Sequence, residues 1–169
     1  LPILPDNACT ESVTTTLDSY RPLWRTQLLE LGLAGELLER ACERVETSVG
    51  AVLNDPTGRW ILDSQHGNAA CELALTANTE ADKVVDLIVD RTFVDLDDNS
   101  RWIIDYKTSQ PAEGEPMEDF LARESALYMP QIQRYALALY ESEGPSLRCA
   151  LYFTSIPCLH ELSVDVEAV

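Results

Sequence analysis

The stretch that decides the fold is Val84-Val85-Asp86-Leu87-Ile88-Val89-Asp90-Arg91-Thr92-Phe93-Val94-Asp95-Leu96, followed by Asp97-Asp98-Asn99-Ser100 and then Arg101-Trp102-Ile103-Ile104-Asp105-Tyr106-Lys107. Its outer parts are rich in Val, Ile, Phe, Trp and Tyr, residues that suit a pleated, half-buried surface, and predict strands over 84–96 and 101–107. The four polar residues between them predict a hairpin loop. Strand residues two apart share a face, so Asp105 and Lys107 project the same way. Pairing Leu96 with Arg101 across the loop puts Asp90 directly opposite Lys107, with Cβ atoms about 4.5–5.5 Å apart. A slip of one residue would send these side chains to opposite faces.

Two carboxylates and an ammonium inside apolar strands are costly unless they pair or hold a cation. Oxygens from two carboxylates, completed by water and substrate phosphate, are what Mg²⁺ takes from a protein. The lysine is informative because the chain has ten Arg and only two Lys, Lys83 and Lys107.

Working outward, Trp24, Leu28 and Leu31 recur at helical spacing after Pro22, predicting a helix that starts at that proline and stops near Gly32. A second stripe, Leu38, Ala41, Val45, Val49 and Val52, ends before the turn-rich cluster Asn54-Asp55-Pro56-Thr57-Gly58. A further strand is expected over 70–75. A helical segment resumes from Met117, divided at Pro130, and a strand follows over 149–154. Helices, three strands, helix and strand predict an α/β sandwich around a mixed sheet. At 169 residues we expect a single domain, 1–169, with a helical part over 1–56 and a core over 57–169, cut from a longer polypeptide.

Five cysteines, widely scattered and without a C-x-x-C pair, support neither a disulfide framework nor a zinc or iron–sulfur site, and predict reduced thiols. The formal net charge of -17 argues against autonomous DNA binding, because phosphate contacts need Lys and Arg. No apolar stretch reaches membrane-spanning length. The lone His66 and His160 are given no role, the three tryptophans are expected as core or strand-face aromatics, and Arg91 is expected in a salt bridge.

The ordered set Val89-Asp90-Arg91, Ile103-Ile104-Asp105-Tyr106-Lys107-Thr108-Ser109 and then Tyr128, Gln131 and Tyr135 resembles the "DR", "DYKT" and Y-x-x-Q-x-x-x-Y motifs of RecB-like PD-(D/E)XK nucleases. Asp55-Pro56-Thr57-Gly58-Arg59-Trp60 and Cys71-Glu72-Leu73 resemble upstream segments of exonuclease V-type helicase-nucleases. The resemblance runs from about Trp24 to Thr154. It implies a restriction-endonuclease-like αβββαβ core and Mg²⁺-dependent DNA hydrolysis, with Mn²⁺ as an alternative metal. It implies metal ligation by Asp90, Asp105 and the Tyr106 carbonyl, with Lys107 as the catalytic lysine. Gln131 and Tyr135 would support the site or touch DNA. The family's early-helix acidic or His ligand is not found; it lies upstream of Leu1 or is lost, with Glu72 as the nearby substitute. The implied setting is a bacterial cytoplasmic, nucleoid-associated helicase-nuclease in double-strand-break repair and recombination. There the helicase part uses ATP and delivers a single strand of DNA, and a second subunit is a further expected partner. The alternative is an inactive nuclease fold kept as a scaffold or interaction module; an acidic DNA mimic is a third.

Overall fold

A computed structural model describes residues 10–78, 84–143 and 146–165. The described residues group into two compact units, one within 10–63 together with 154–157 and the other within 64–153 together with 158–165.

The first unit is helical. Helix α1 spans Thr10–Glu30, α2 Gly35–Asn54 and α3 Pro56–Leu62. The α1 C-terminus closes where Gly32 takes a left-handed φ of 88° and the amide of Leu33 reaches back to the Leu28 carbonyl at 3.1 Å. This is the turn glycine permits at a helix end. Two expectations change here. Pro22 lies inside α1 rather than at its start; an internal proline forfeits one backbone donor, and the helix continues on both sides of that gap. The cluster read as a turn begins α3. Its Asp55 accepts the Gly58 amide at 2.8 Å, and Pro56 occupies the first turn, where a missing N–H is harmless. Arg59 then donates through Nη1 to the Leu53 and Asn54 carbonyls, both at 3.1 Å, satisfying the end of α2.

The second unit is α/β, with a five-stranded mixed sheet. Strands β1 (Gly67–Asn78), β2 (Val84–Val94), β3 (Arg101–Lys107), β4 (Leu147–Phe153) and β5 (Cys158–Leu162) lie side by side in chain order. Strands β3 and β4 are parallel and every other neighbouring pair is antiparallel. The parallel step is made by α4, Met117–Glu143, which packs on β4, β1, β3 and β5. Crossing from one strand to a parallel neighbour needs a connection of this kind. Helix α4 runs unbroken through Pro130 instead of dividing there. Buried side chains on both sides of the proline, Phe120 and Glu124 before it and Ile132, Tyr135, Ala136 and Leu139 after it, hold the two halves on one axis. Tertiary packing outweighs the propensity cost.

The hairpin register also differs from expectation. Val94 faces Arg101 and Arg91 faces Ile104, so Lys107 is not opposite Asp90, and β2 ends two residues earlier than predicted. The cause lies in the loop. Asp95 Oδ1 accepts the Asp97 amide at 3.0 Å and Asp98 Oδ1 the Ser100 amide at 2.9 Å, while Asn99 takes a φ of 57°. With these side-chain turns β2 ends at Val94, the Asp95 amide still donating to the Ser100 carbonyl at 2.9 Å. A shift of two keeps every side chain on its expected face, whereas a shift of one would not. Strand β5 was not anticipated; β1 extends beyond both predicted limits, and β4 begins two residues earlier and ends one residue earlier than predicted.

Strand β3 is covered on both faces, with Arg101 to Asp105 all buried. Among the described residues Cys42, Cys71, Cys149 and Cys158 are reduced and in no disulfide, Cys71 being exposed. Trp24 and Trp102 are buried, His66 stacks on Phe93 with centroids 4.0 Å apart, and the Arg91 guanidinium lies 5.4 Å over the same ring. Among the described residues no helix is long and apolar enough to cross a membrane.

Candidate active site

The β2–β3 ladder is regular from Val94↔Arg101 to Arg91↔Ile104. Beyond it a side chain takes over: Asp90 Oδ2 accepts the Tyr106 amide at 2.9 Å. Asp90 is thereby fixed at the edge of β3 by the chain that also carries Asp105 and Lys107. Asp105 is 1% exposed, and its Oδ2 faces the Lys107 ammonium in an ion pair. Its Oδ1 accepts from Gln131 Nε2 at 3.2 Å, and the same amide nitrogen lies 2.5 Å from the Tyr135 hydroxyl. The structure therefore brings together Asp90, Asp105, Lys107, Gln131 and Tyr135, with the Tyr106 amide as the link between the acidic residues.

Burial pushes the Asp105 carboxyl above its usual range; the Lys107 ammonium opposes that rise, and nearby Asp90 adds to it. Two carboxylates that repel each other, one of them desolvated, gain from a shared cation. Burial raises the Tyr135 hydroxyl as well, against the Gln131 contact, with Asp105 and Asp90 pushing the same way as burial. Tyr106 packs edge-on against Tyr152 at 6.3 Å, on the sheet face opposite Asp105, and its buried hydroxyl has no hydrogen-bond partner among the described residues. Burial raises its pKa too.

Glu72 is placed differently. The flanking pairs Cys71↔Arg91 and Leu73↔Val89 put its backbone across from Asp90, yet it is exposed, with a left-handed φ of 51° inside β1. Among the described residues no three Asp, Glu, His or Cys side chains are already grouped as a metal cluster, and the Glu72 side chain is exposed. The donor set at hand is a pair of carboxylates, which suits a hard cation that keeps several waters, such as Mg²⁺.

Several residues at the site were not singled out from sequence. Glu124, 1% exposed, accepts the Ser109 hydroxyl at 2.5 Å through Oε2 and pairs with Arg123 through Oε1. Arg123 also grips both oxygens of Glu115, at 3.0 and 3.1 Å, and Glu115 accepts the Ala112 amide at 2.7 Å. The segment leaving Lys107 is thus tied to α4. The available signal was periodicity: Glu124, Tyr128, Gln131 and Tyr135 recur at i, i+4, i+7 and i+11, a polar stripe along one face of the helix. His160 joins β5 to α4 through Ser125 Oγ at 2.9 Å.

In comparisons with known proteins, no family model matches this sequence and no curated protein shows significant similarity to it.

Proposed function

We propose that this chain is a divalent-metal-dependent DNA nuclease built on a restriction-endonuclease-like core, of the RecB-like PD-(D/E)XK kind that its motifs resemble. The observation that carries the reading is the convergence of Asp90, Asp105 and Lys107 on one face of the sheet, with Gln131 of the Y-x-x-Q-x-x-x-Y helix on the carboxylate of Asp105. The order β1–β2–β3–α4–β4 supports the same core.

In this reading Asp90 and Asp105 hold Mg²⁺ or Mn²⁺, with the Tyr106 carbonyl as a further oxygen. Such a cation, when bound, neutralises phosphate charge and makes water acidic enough to attack at neutral pH. The chain's own contribution is placement. The Tyr106 amide orients Asp90, Gln131 orients Asp105, and Lys107 offers an ammonium to a phosphate oxygen brought to the acidic pair, where negative charge builds as the P–O bond breaks. A net charge of -17 means that a further domain or subunit supplies most of the grip on DNA, as a helicase part delivering a single strand would.

The test is Mg²⁺- or Mn²⁺-dependent cleavage of single- and double-stranded DNA by the full chain and by Asp105→Ala. We expect cleavage by the former and a loss of at least about a hundredfold in the latter, as when transition-state electrostatics are removed. Equal cleavage by both rejects the assignment. One observation favours a second reading, a scaffold without catalysis: Asp105 is already engaged by Lys107 and Gln131 at 1% exposure. Calorimetry showing no Mg²⁺ or Mn²⁺ binding at millimolar concentration would decide for it.

A further inference from the structure

Lys107 Nζ sits 3.6 Å from the centroid of the Tyr128 ring, on whose face it rests, and it also faces Asp105 Oδ2. Its side chain is 12% exposed. Tyr128 lies on α4 three residues before Gln131, so adjacent positions of one helical face address the two members of the ion pair: Gln131 the carboxylate, Tyr128 the ammonium.

The chemistry of the two contacts differs. A carboxylate attracts the ammonium by cancelling its charge. An aromatic face attracts it through the ring quadrupole and leaves the charge whole, more strongly where water is excluded. A lysine on a flexible four-carbon stem, held by one acid alone, would settle into a closed ion pair with little field left for a third group. The ring gives the ammonium a further partner that takes none of its charge.

We infer that Tyr128 is a positioning residue whose ring face seats the Lys107 ammonium beside Asp105 with its charge available to a phosphate oxygen. The second half of this statement rests on the nuclease reading; the seat itself does not. The phenol hydroxyl is not required by it, so the ring and not the oxygen is the operative group. Tyr128→Phe retains the seat and Tyr128→Leu removes it at similar bulk.

The chain's two lysines make the seat directly visible. In protein carrying ¹³C-lysine, the ε-methylene protons of Lys107, assigned by loss of the signal in Lys107→Arg, should be displaced upfield by the ring current relative to the same protein unfolded in urea. The displacement should persist in Tyr128→Phe and vanish in Tyr128→Leu. In cleavage assays Tyr128→Leu should lower kcat roughly 3- to 30-fold, the range expected for a partly desolvated cation–ring contact. KM should be nearly unchanged, and Tyr128→Phe should stay within about twofold of the wild type. An undisplaced Lys107 signal in the folded wild type overturns the inference without recourse to any variant. So does a Tyr128→Leu protein that cleaves at the wild-type rate. A displaced signal in a wild type that cleaves no DNA upholds the seat and overturns the nuclease reading instead.

Discussion

Asp90 Oδ2 accepts the backbone amide of Tyr106 at 2.9 Å, so the carboxylate that would hold a metal also closes the end of the β2–β3 ladder. These two duties separate by substitution. Asp90→Asn keeps an acceptor oxygen and removes the charge; Asp90→Ala removes both and leaves an amide without its partner, a loss of about 1–2 kcal/mol. Both variants should lose metal-dependent cleavage, and only the alanine variant should show a lowered urea midpoint. Equal stability of the two would mean that the hydrogen bond carries no weight.

Asp105 links the proposed chemistry to stability with a definite sign. Its folded pKa is raised above the ordinary aspartate value, with burial as the largest cause. A group raised in this way supports the fold fully below its unfolded pKa, and that support is lost as pH rises through the folded value. At neutral pH the ionised Asp105 is therefore a burden. Asp105→Asn, which keeps an acceptor for Gln131, should melt higher than the wild type at pH 7. The difference should shrink as the pH approaches 3.5. Millimolar Mg²⁺ should narrow it from the other side, by stabilising the wild type alone, and EDTA should restore it. A wild type that melts above Asp105→Asn at pH 7 in EDTA contradicts this account.

The segment after Lys107 is held by a buried acid. Ser109 donates to Glu124 at 2.5 Å, and Arg123 ties Glu124 to Glu115. Ser109→Ala takes one hydrogen bond from a carboxylate that is 1% exposed. A bond to a charged group contributes about 1.5–3 kcal/mol. We expect a fall of that order in unfolding free energy, together with faster amide exchange confined to residues 108–116. Unchanged exchange in that segment would show that Glu124 anchors α4 and not the loop.

How much of this was legible depended on parity and on packing. The side-chain period of two survives an even shift in register, which is why Asp90, Asp105 and Lys107 share a face even though Val94, and not Leu96, faces Arg101. The shift itself arises from Asp95 and Asp98 bonding to loop amides, a choice that alternation along the strands does not encode. Pro22 and Pro130 misled because local propensity is a weak prior once neighbouring turns are packed. Asp55 and Pro56 are a cap and a first-turn proline, a helix-start signal overshadowed by the density of turn formers around them. Glu124 went unremarked because one acidic residue in a charged helix looks like solvated surface until the stripe it shares with Tyr128, Gln131 and Tyr135 is counted.

Glu72 offers the sharpest separation of backbone from side chain. A non-glycine residue at a φ of 51° within a strand carries strain, and this one stands across from Asp90 with its side chain exposed. Glycine adopts that conformation without penalty, although it loses more freedom on folding. Glu72→Gly should therefore stabilise the chain by a net of about 0.5–1 kcal/mol. Glu72→Gln keeps the strain and removes the charge, so its stability should match the wild type. If Asp90 and Asp105 form the whole carboxylate set, both variants should cleave DNA as the wild type does. A loss of cleavage in both, with the stability gain still present in the glycine variant, would bring the Glu72 carboxylate into the site as a third metal ligand.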